Sequence, residues 1–328
     1  MVSIHARAKI FEQCENEPWQ RGDSDLYDAL TKPVRESSTR LIFTSSKPLE
    51  KKILEKRRLE RHIPITFPDG FSSIINDDLN GSFFCDYIAS DDDDDQIIRH
   101  VSWTCFKVKK VHKPNEYEWV QTTILIDWTM ADKRQTVLVL NLPEQQQLRM
   151  QHKLPQIKAR INPFRWHMEF SSTLITLYDD SIWSLRDLVR GIEKSRDGEN
   201  PPPINFPHLH DTGRHIFHSN ETLEVAENTI HSIISEQARW REEFPDSRQK
   251  GRGPLRHQLL RLRAWRRQRL ENSQHVLDVL GGDDPVDAGD GDDLGIVALA
   301  GAVEGLLAGA EGEVSGTADE EGGRGGSG

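Results

Sequence analysis

Three strand-like runs between residues 100 and 143 constrain the chain more than any other feature. The first, HVSWTCFKVKKV, steps through Val101, Trp103, Cys105 and then Val108. The runs YEWVQTTILIDW and QTVLVLNL follow, rich in β-branched and aromatic residues. Only the turn-like segments KPNE and DKR separate them. Strands so closely spaced read as an antiparallel meander at the heart of a sheet.

Helical signals come next. Residues 143–162 are polar and helix-like, and Asn162-Pro163 marks a turn. Residues 166–178 (WHMEFSSTLITLY) read either way: Thr and Ile argue strand, and length argues helix. Asp179, Asp180 and Ser181 offer an N-cap for IWSLRDLVRGIEK, where Ile182, Leu185, Val189 and Ile192 share a face. DGENPPP, residues 197–203, breaks that helix. Helix is expected again over 206–240, with Leu223, Ala226, Ile230, Ile233 and Ile234 as its stripe and Ser219 or Asn220 as a cap.

Upstream of residue 100 the reading is helical and loop-like. Residues 49–61 suit an exposed, charge-paired helix, 64–100 are loop-rich, and Asp91–Asp95 is an acid run without the alternation and Gly turn of a Ca²⁺ loop. At the other end the composition breaks. Residues 281–328 hold 12 acids, one base (Arg324), 15 of the 23 Gly and no aromatic residue. The formal charge of −11 therefore belongs to this tail, expected to be disordered, and residues 1–280 balance at 41 acids and 41 bases. A basic nucleic-acid binder by net charge and a collagen-like repeat are both excluded. Cys14, Cys85 and Cys105 are too few and too scattered for a disulfide framework or a Cys-based zinc knuckle. No secretory signal is evident at the N-terminus, and 294–310, the most apolar stretch, is short, carries Glu304 and lacks basic or aromatic anchors.

No nucleophile elbow, Walker loop, dinucleotide fingerprint or HExxH is present, so no reaction is named and no catalytic, cofactor-binding or metal-ligating residue is assigned. His208, His210, His215 and His218, with His231 further on, form the one tempting constellation. His215 and His218 face similarly on one helix, which allows a two-ligand site, but packing and capping are the first reading. The same holds for Asp179–Asp180 and for Asp211. Residues 248–269 carry nine Lys/Arg with Trp265 interleaved. That segment suits first a packed helix with snorkelling arginines, then an anionic membrane face met by Arg261, Arg263, Arg266 and Arg267, and last a nucleic acid.

Some residues carry a family resemblance. Asn162-Pro163-Phe164-x-Trp166-His167, the run Tyr178-Asp179-Asp180-Ser181-Ile182-Trp183-Ser184-Leu185-Arg186-Asp187-Leu188-Val189-Arg190, Leu209-His210-Asp211, Arg214-His215 and His218-Ser219-x-Glu221-Thr222-Leu223 resemble the fungal CorA-like proteins, divergent relatives of the CorA magnesium transporters. The likeness is strong over 160–240 and looser over 100–160, where Trp103 and the strand pair ending near Leu142-Pro143 fit. It implies an α/β (α+β) cytosolic domain, a mixed or antiparallel sheet flanked by helices, leading into a long stalk helix. Trp166, Trp183 and Leu185 would then pack the helix–sheet interface.

In that family the stalk continues into two spans with a Gly-Met-Asn signature, and subunits form pentamers. This sequence contains no Gly-Met-Asn and no pair of spans. The expected organisation is an N-terminal mixed helical and loop region (1–99), a CorA-like α/β domain (100–246), a basic stalk-like helix (247–280) and the Gly/Asp-rich tail (281–328). The expected function is a regulatory or assembly role in divalent-cation transport, without catalysis and not as a pore; an interaction or nucleic-acid-binding protein using 252–270 is the alternative. Mg²⁺ enters only through the resemblance, and the partners implied are further copies of the chain or a CorA-like transporter. The expected location is the cytoplasm for the sequence as it stands, or a membrane if its tail replaces the family's spans through a reading-frame or intron error.

Overall fold

The computed structural model describes residues 7–15, 17–47, 77–89, 97–129, 133–154, 163–196, 200 and 202–243, with isolated positions between 49 and 75. Seven strands form one sheet: β1 (Arg7–Cys14), β2 (Gln20–Asp25), β3 (Ser38–Thr44), β4 (Gly81–Ala89), β5 (Ile97–Lys113), β6 (Glu116–Thr129) and β7 (Arg134–Leu140). Among the described residues four helices accompany them: α1 (Leu26–Thr31), α2 (Glu144–Lys153), α3 (Phe164–Arg196) and α4 (Phe206–Glu243). The spatial order is β2-β1-β3-β7-β6-β5-β4.

The antiparallel meander is present as β5-β6-β7, with Trp103 opposite Leu125 and Leu125 opposite Leu138. Among the described residues only β3 and β7 run parallel, Leu41 opposite Val137. Asn141, just past β7, takes a positive φ of 56° and donates its N–H to the Thr44 carbonyl at 2.9 Å; its Oδ1 accepts from Ser46 N–H, also at 2.9 Å. Asn tolerates that left-handed conformation better than most residues.

Both faces of the sheet are buried, so β6 and β7 read as continuous apolar runs rather than strict alternations. Ile124, Ile126, Val137 and Val139 share one core with Phe164, Phe170, Leu174 and Leu177 of α3 and Leu223, Ala226 and Ile230 of α4. Leu125, Leu138 and Leu140 join Val101, Trp103 and Cys105 in a second core with Leu26 and Leu30 of α1 and with Leu49 and Phe71.

The fold class is as expected: a mixed, mostly antiparallel sheet flanked by helices. Its composition differs from expectation upstream of residue 100, where helix and loop were anticipated. Four of the seven strands arise there. β2 (QRGDSD) is polar because it is a sheet edge. Residues 166–178 resolve to helix within the 33-residue α3. That helix runs through Asp179, Asp180 and Ser181, so they cap nothing; Ser181 instead donates to the Lys109 carbonyl at 2.5 Å. Ser219 and Asn220 likewise lie mid-helix in α4. Its true cap is Asn205, whose Oδ1 accepts from His208 N–H at 3.1 Å, with Pro207 tolerated in the first turn. The break over 197–203 falls between α3 and α4. The basic helix, the acid run and the Gly-rich tail lie outside the described residues.

Candidate functional site

Chemistry-bearing side chains gather in two places along α4. The first is where its opening turns meet the β5–β6 hairpin. His215 donates from Nε2 to the Pro114 carbonyl at 2.6 Å, and Tyr117 lies edge-on to its ring at 5.1 Å. One turn on, His218 Nδ1 accepts from the Lys109 ammonium at 2.9 Å. That ammonium also sits 4.4 Å from the Tyr117 ring centre and 5.0 Å from that of Trp119, so two aromatic faces share its charge. Lys107 pairs with Asp78 and lies over Trp119 at 4.4 Å.

The electrostatics follow from this crowding of cations. Burial first, then the Arg214 charge, lowers the Lys109 amine to about 8. His218 and His215 are both held below the ordinary imidazole range, chiefly by burial, with Lys109 and Arg214 adding to it. Both rings are therefore neutral at pH 7. His218 offers its Nδ1 lone pair, but Lys109 already occupies it. Of the pair that sequence allowed as two metal ligands, His218 thus caps a buried lysine and His215 holds the Pro114 carbonyl, and the Lys109 and Arg214 charges beside them repel a further cation.

The remaining histidines do not converge on it. His210 is exposed, His208 lines a cavity of about 530 Å³ where α3 gives way to α4, and His231 lies further along α4. Asp211 pairs with Arg214 at 3.0 Å. Asp179 and Asp180 sit within α3. Among the described residues no group of three His, Cys, Asp or Glu is placed to hold a metal ion. The arginines of 261–267 lie outside the described residues.

The second gathering, which sequence gave no hint of, lies between β4, β5 and the far half of α4. Glu236 accepts from Tyr87 Oη at 2.5 Å and from Arg239 at 2.6 Å. These hydrogen bonds overcome its burial and hold the carboxyl below its usual range. Burial, reinforced by Glu236, pushes the Cys85 thiol up to about 12, so it stays protonated. Behind them His100 is fully buried among Tyr87, Trp240 and Phe164, at ring separations of 5.0, 5.3 and 5.6 Å. His167 spans Ser102 Oγ (2.8 Å) and Thr104 Oγ1 (3.0 Å). Burial lowers these imidazoles to about 4 and about 3. Tyr87 and His167 tie helix to sheet, and Trp166 does the same by donating to Gln135 Oε1 at 3.0 Å. Leu185 is buried as expected, whereas Trp183 is 48% exposed and stacks on Arg186 rather than on the sheet. The β4 and β5 partners were hidden because they come from residues well over a hundred positions before Glu236.

No protein-family model matches the chain. A curated relative, notoamide biosynthesis cluster protein M' of Aspergillus versicolor, is 35% identical over 213 residues, covering 56% of this chain and 47% of its own length. The chain thus spans about half the length of that relative. Solved structures to which the chain shows similarity include the ZntB cytoplasmic domain of Vibrio parahaemolyticus (TM-score 0.49, 10% identity, 83% of this chain and 96% of that one). The full-length CmaX protein follows at TM-score 0.45 and 10% identity, over 95% of this chain and 98% of its own. The soluble domain of CorA from Methanocaldococcus jannaschii gives 0.42 at 14% identity, over 85% and 97%.

Proposed function

We propose that this chain is a CorA-like domain that acts, without catalysis, in the regulation or assembly of a divalent-cation transporter. The observation that carries the reading is helix α4. It is 38 residues long, about 57 Å at 1.5 Å per residue. Its first half is fixed to the β5–β6 hairpin through His215 and His218, and its second half to β4 through Glu236. A helix held in each half against one sheet is a stiff lever, and this one ends just before the basic segment 247–280, which the family resemblance reads as stalk-like. From Phe164 onward the motifs of the strong part of the family resemblance fall on α3 and the first half of α4. The buried titratable groups of both gatherings hold elements together rather than converge on a reacting atom.

The test is functional and physical at once. The full chain is co-expressed with a CorA-type transporter in cells deprived of their own Mg²⁺ uptake. Mg²⁺ influx is followed with a fluorescent indicator, and the transporter is purified by its own tag. Co-purification together with an altered influx rate supports the reading. Unchanged influx with no co-purification ends it. The alternative, an interaction module built on 252–270, is separated by the salt dependence of nucleic-acid binding, which the transporter reading does not require.

A further inference from the structure

The sheet has two outer strands, and they are finished differently. β4 is flanked by α4, whose Val225 Cγ1 and Thr229 Oγ1 come within 3.0 and 3.1 Å of where a Gly81 Cβ would lie. β2 has β1 on its inner side, Gly22 opposite Ile10, and among the described residues no strand on its outer side. Charges on such an edge ordinarily deter pairing, because most registers bring like charges together. Here the order of the charges matters. Around Gly22 the strand reads Gln20-Arg21-Gly22-Asp23-Ser24.

We propose that two copies of this chain pair antiparallel through β2, about a two-fold axis at Gly22. In that register Arg21 of each copy lies opposite Asp23 of the other, and Gln20 lies opposite Ser24. Residues directly opposite in an antiparallel pair share a face, so both ion pairs form without rearrangement. The axis falls on a residue with no side chain, and a Cβ added there would meet nothing within 4 Å. Shifting the axis by one residue sets Arg21 against Arg21 or Asp23 against Asp23, so the charges select this register. Arg21 and Asp23 are both exposed, and among the described residues neither has an ion-pair partner. The pairing would extend the seven-stranded sheet across the dimer, in the isologous geometry of a two-fold interface. It does not rest on a role in cation transport.

The test is sedimentation velocity of the full chain over a concentration series, with R21D, D23R and the double variant R21D/D23R. Circular dichroism confirms that each is folded. The expected result is a reversible monomer–dimer equilibrium whose dissociation constant rises by roughly tenfold or more in either single variant, since each replaces two attractive cross-strand pairs with two repulsive ones. The double variant re-creates the pairs in reverse and is expected to return the constant to near its original value. A chain monomeric at every concentration overturns the proposal. So does an oligomer indifferent to the single variants, or one that the double variant fails to restore.

Discussion

His100 and His167 carry the core's response to acid. Both are held neutral by burial, at about 4 and about 3, whereas an unfolded chain protonates its histidines near 6.5. The folded state therefore binds fewer protons below pH 6.5. Stability is level above that pH and falls as the pH drops towards 4, by up to about 1.4 kcal/mol per pH unit for each histidine. Thermal unfolding measured from pH 8 to 4 is expected to show this slope. His100→Phe removes one share of it, because both ring nitrogens of His100 are buried without a hydrogen-bond partner and three aromatic rings pack around it. That variant is expected to match or exceed wild-type stability at neutral pH. His167→Phe leaves the Ser102 and Thr104 hydroxyls stranded and is expected to cost about 2 kcal/mol in denaturant titrations. Either histidine could be noted in the sequence, but only the pairing of β5 with α3 reveals which one has partners.

Elements here are fixed by a few polar contacts whose loss is measurable. Arg40, 3% exposed, pairs with Glu12 at 2.5 Å and donates to the carbonyls of Ala29, Lys32 and Pro33, holding the end of α1 against β3. Arg40→Met leaves those carbonyls and Glu12 without their donor, and is expected to lower unfolding free energy by about 3 kcal/mol. Gly81→Val forces β4 and α4 apart where Val225 and Thr229 crowd the glycine, and a loss of about 1–3 kcal/mol is expected. Asn205→Ala removes the α4 cap, at about 1 kcal/mol. The sequence showed the long apolar strands and the Pro-marked break between α3 and α4, because those signals are local. It misplaced the caps, since Asp179, Asp180, Ser219 and Asn220 are cap-type residues whose helices continue because apolar residues on both sides face the sheet. It overlooked β1–β4, whose strand character depends on neighbours far along the chain. The candidate site was half visible for the same reason: His215 and His218 share a helix face, but Lys109 and Pro114 reach them from across the fold.

For the whole molecule the charge distribution makes the outstanding prediction. Nine basic residues between 248 and 269 precede a tail with 12 acids. If the basic segment meets an anionic membrane, binding to vesicles containing phosphatidylserine should fall steeply with added salt. Replacing Arg261, Arg263, Arg266 and Arg267 with Gln should abolish it, while binding to neutral vesicles stays at background throughout. Binding that ignores both salt and these substitutions would assign the segment to packing instead.

The parallel pairing of β3 with β7 also sets a timetable. Thr39 lies opposite Gln135, 96 positions later in the chain. On the ribosome, β1, β2 and β3 emerge early with one side of β3 open, and Leu41 and Phe43, both buried in the finished fold, wait for partners. Those partners arrive only after β4, β5 and β6 have been made. Long-range strand pairing of this kind is slow and leaves sticky edges on view in the meantime. Nascent chains stalled before residue 134 are thus expected to be chaperone clients, and release from the chaperone should coincide with the emergence of β7.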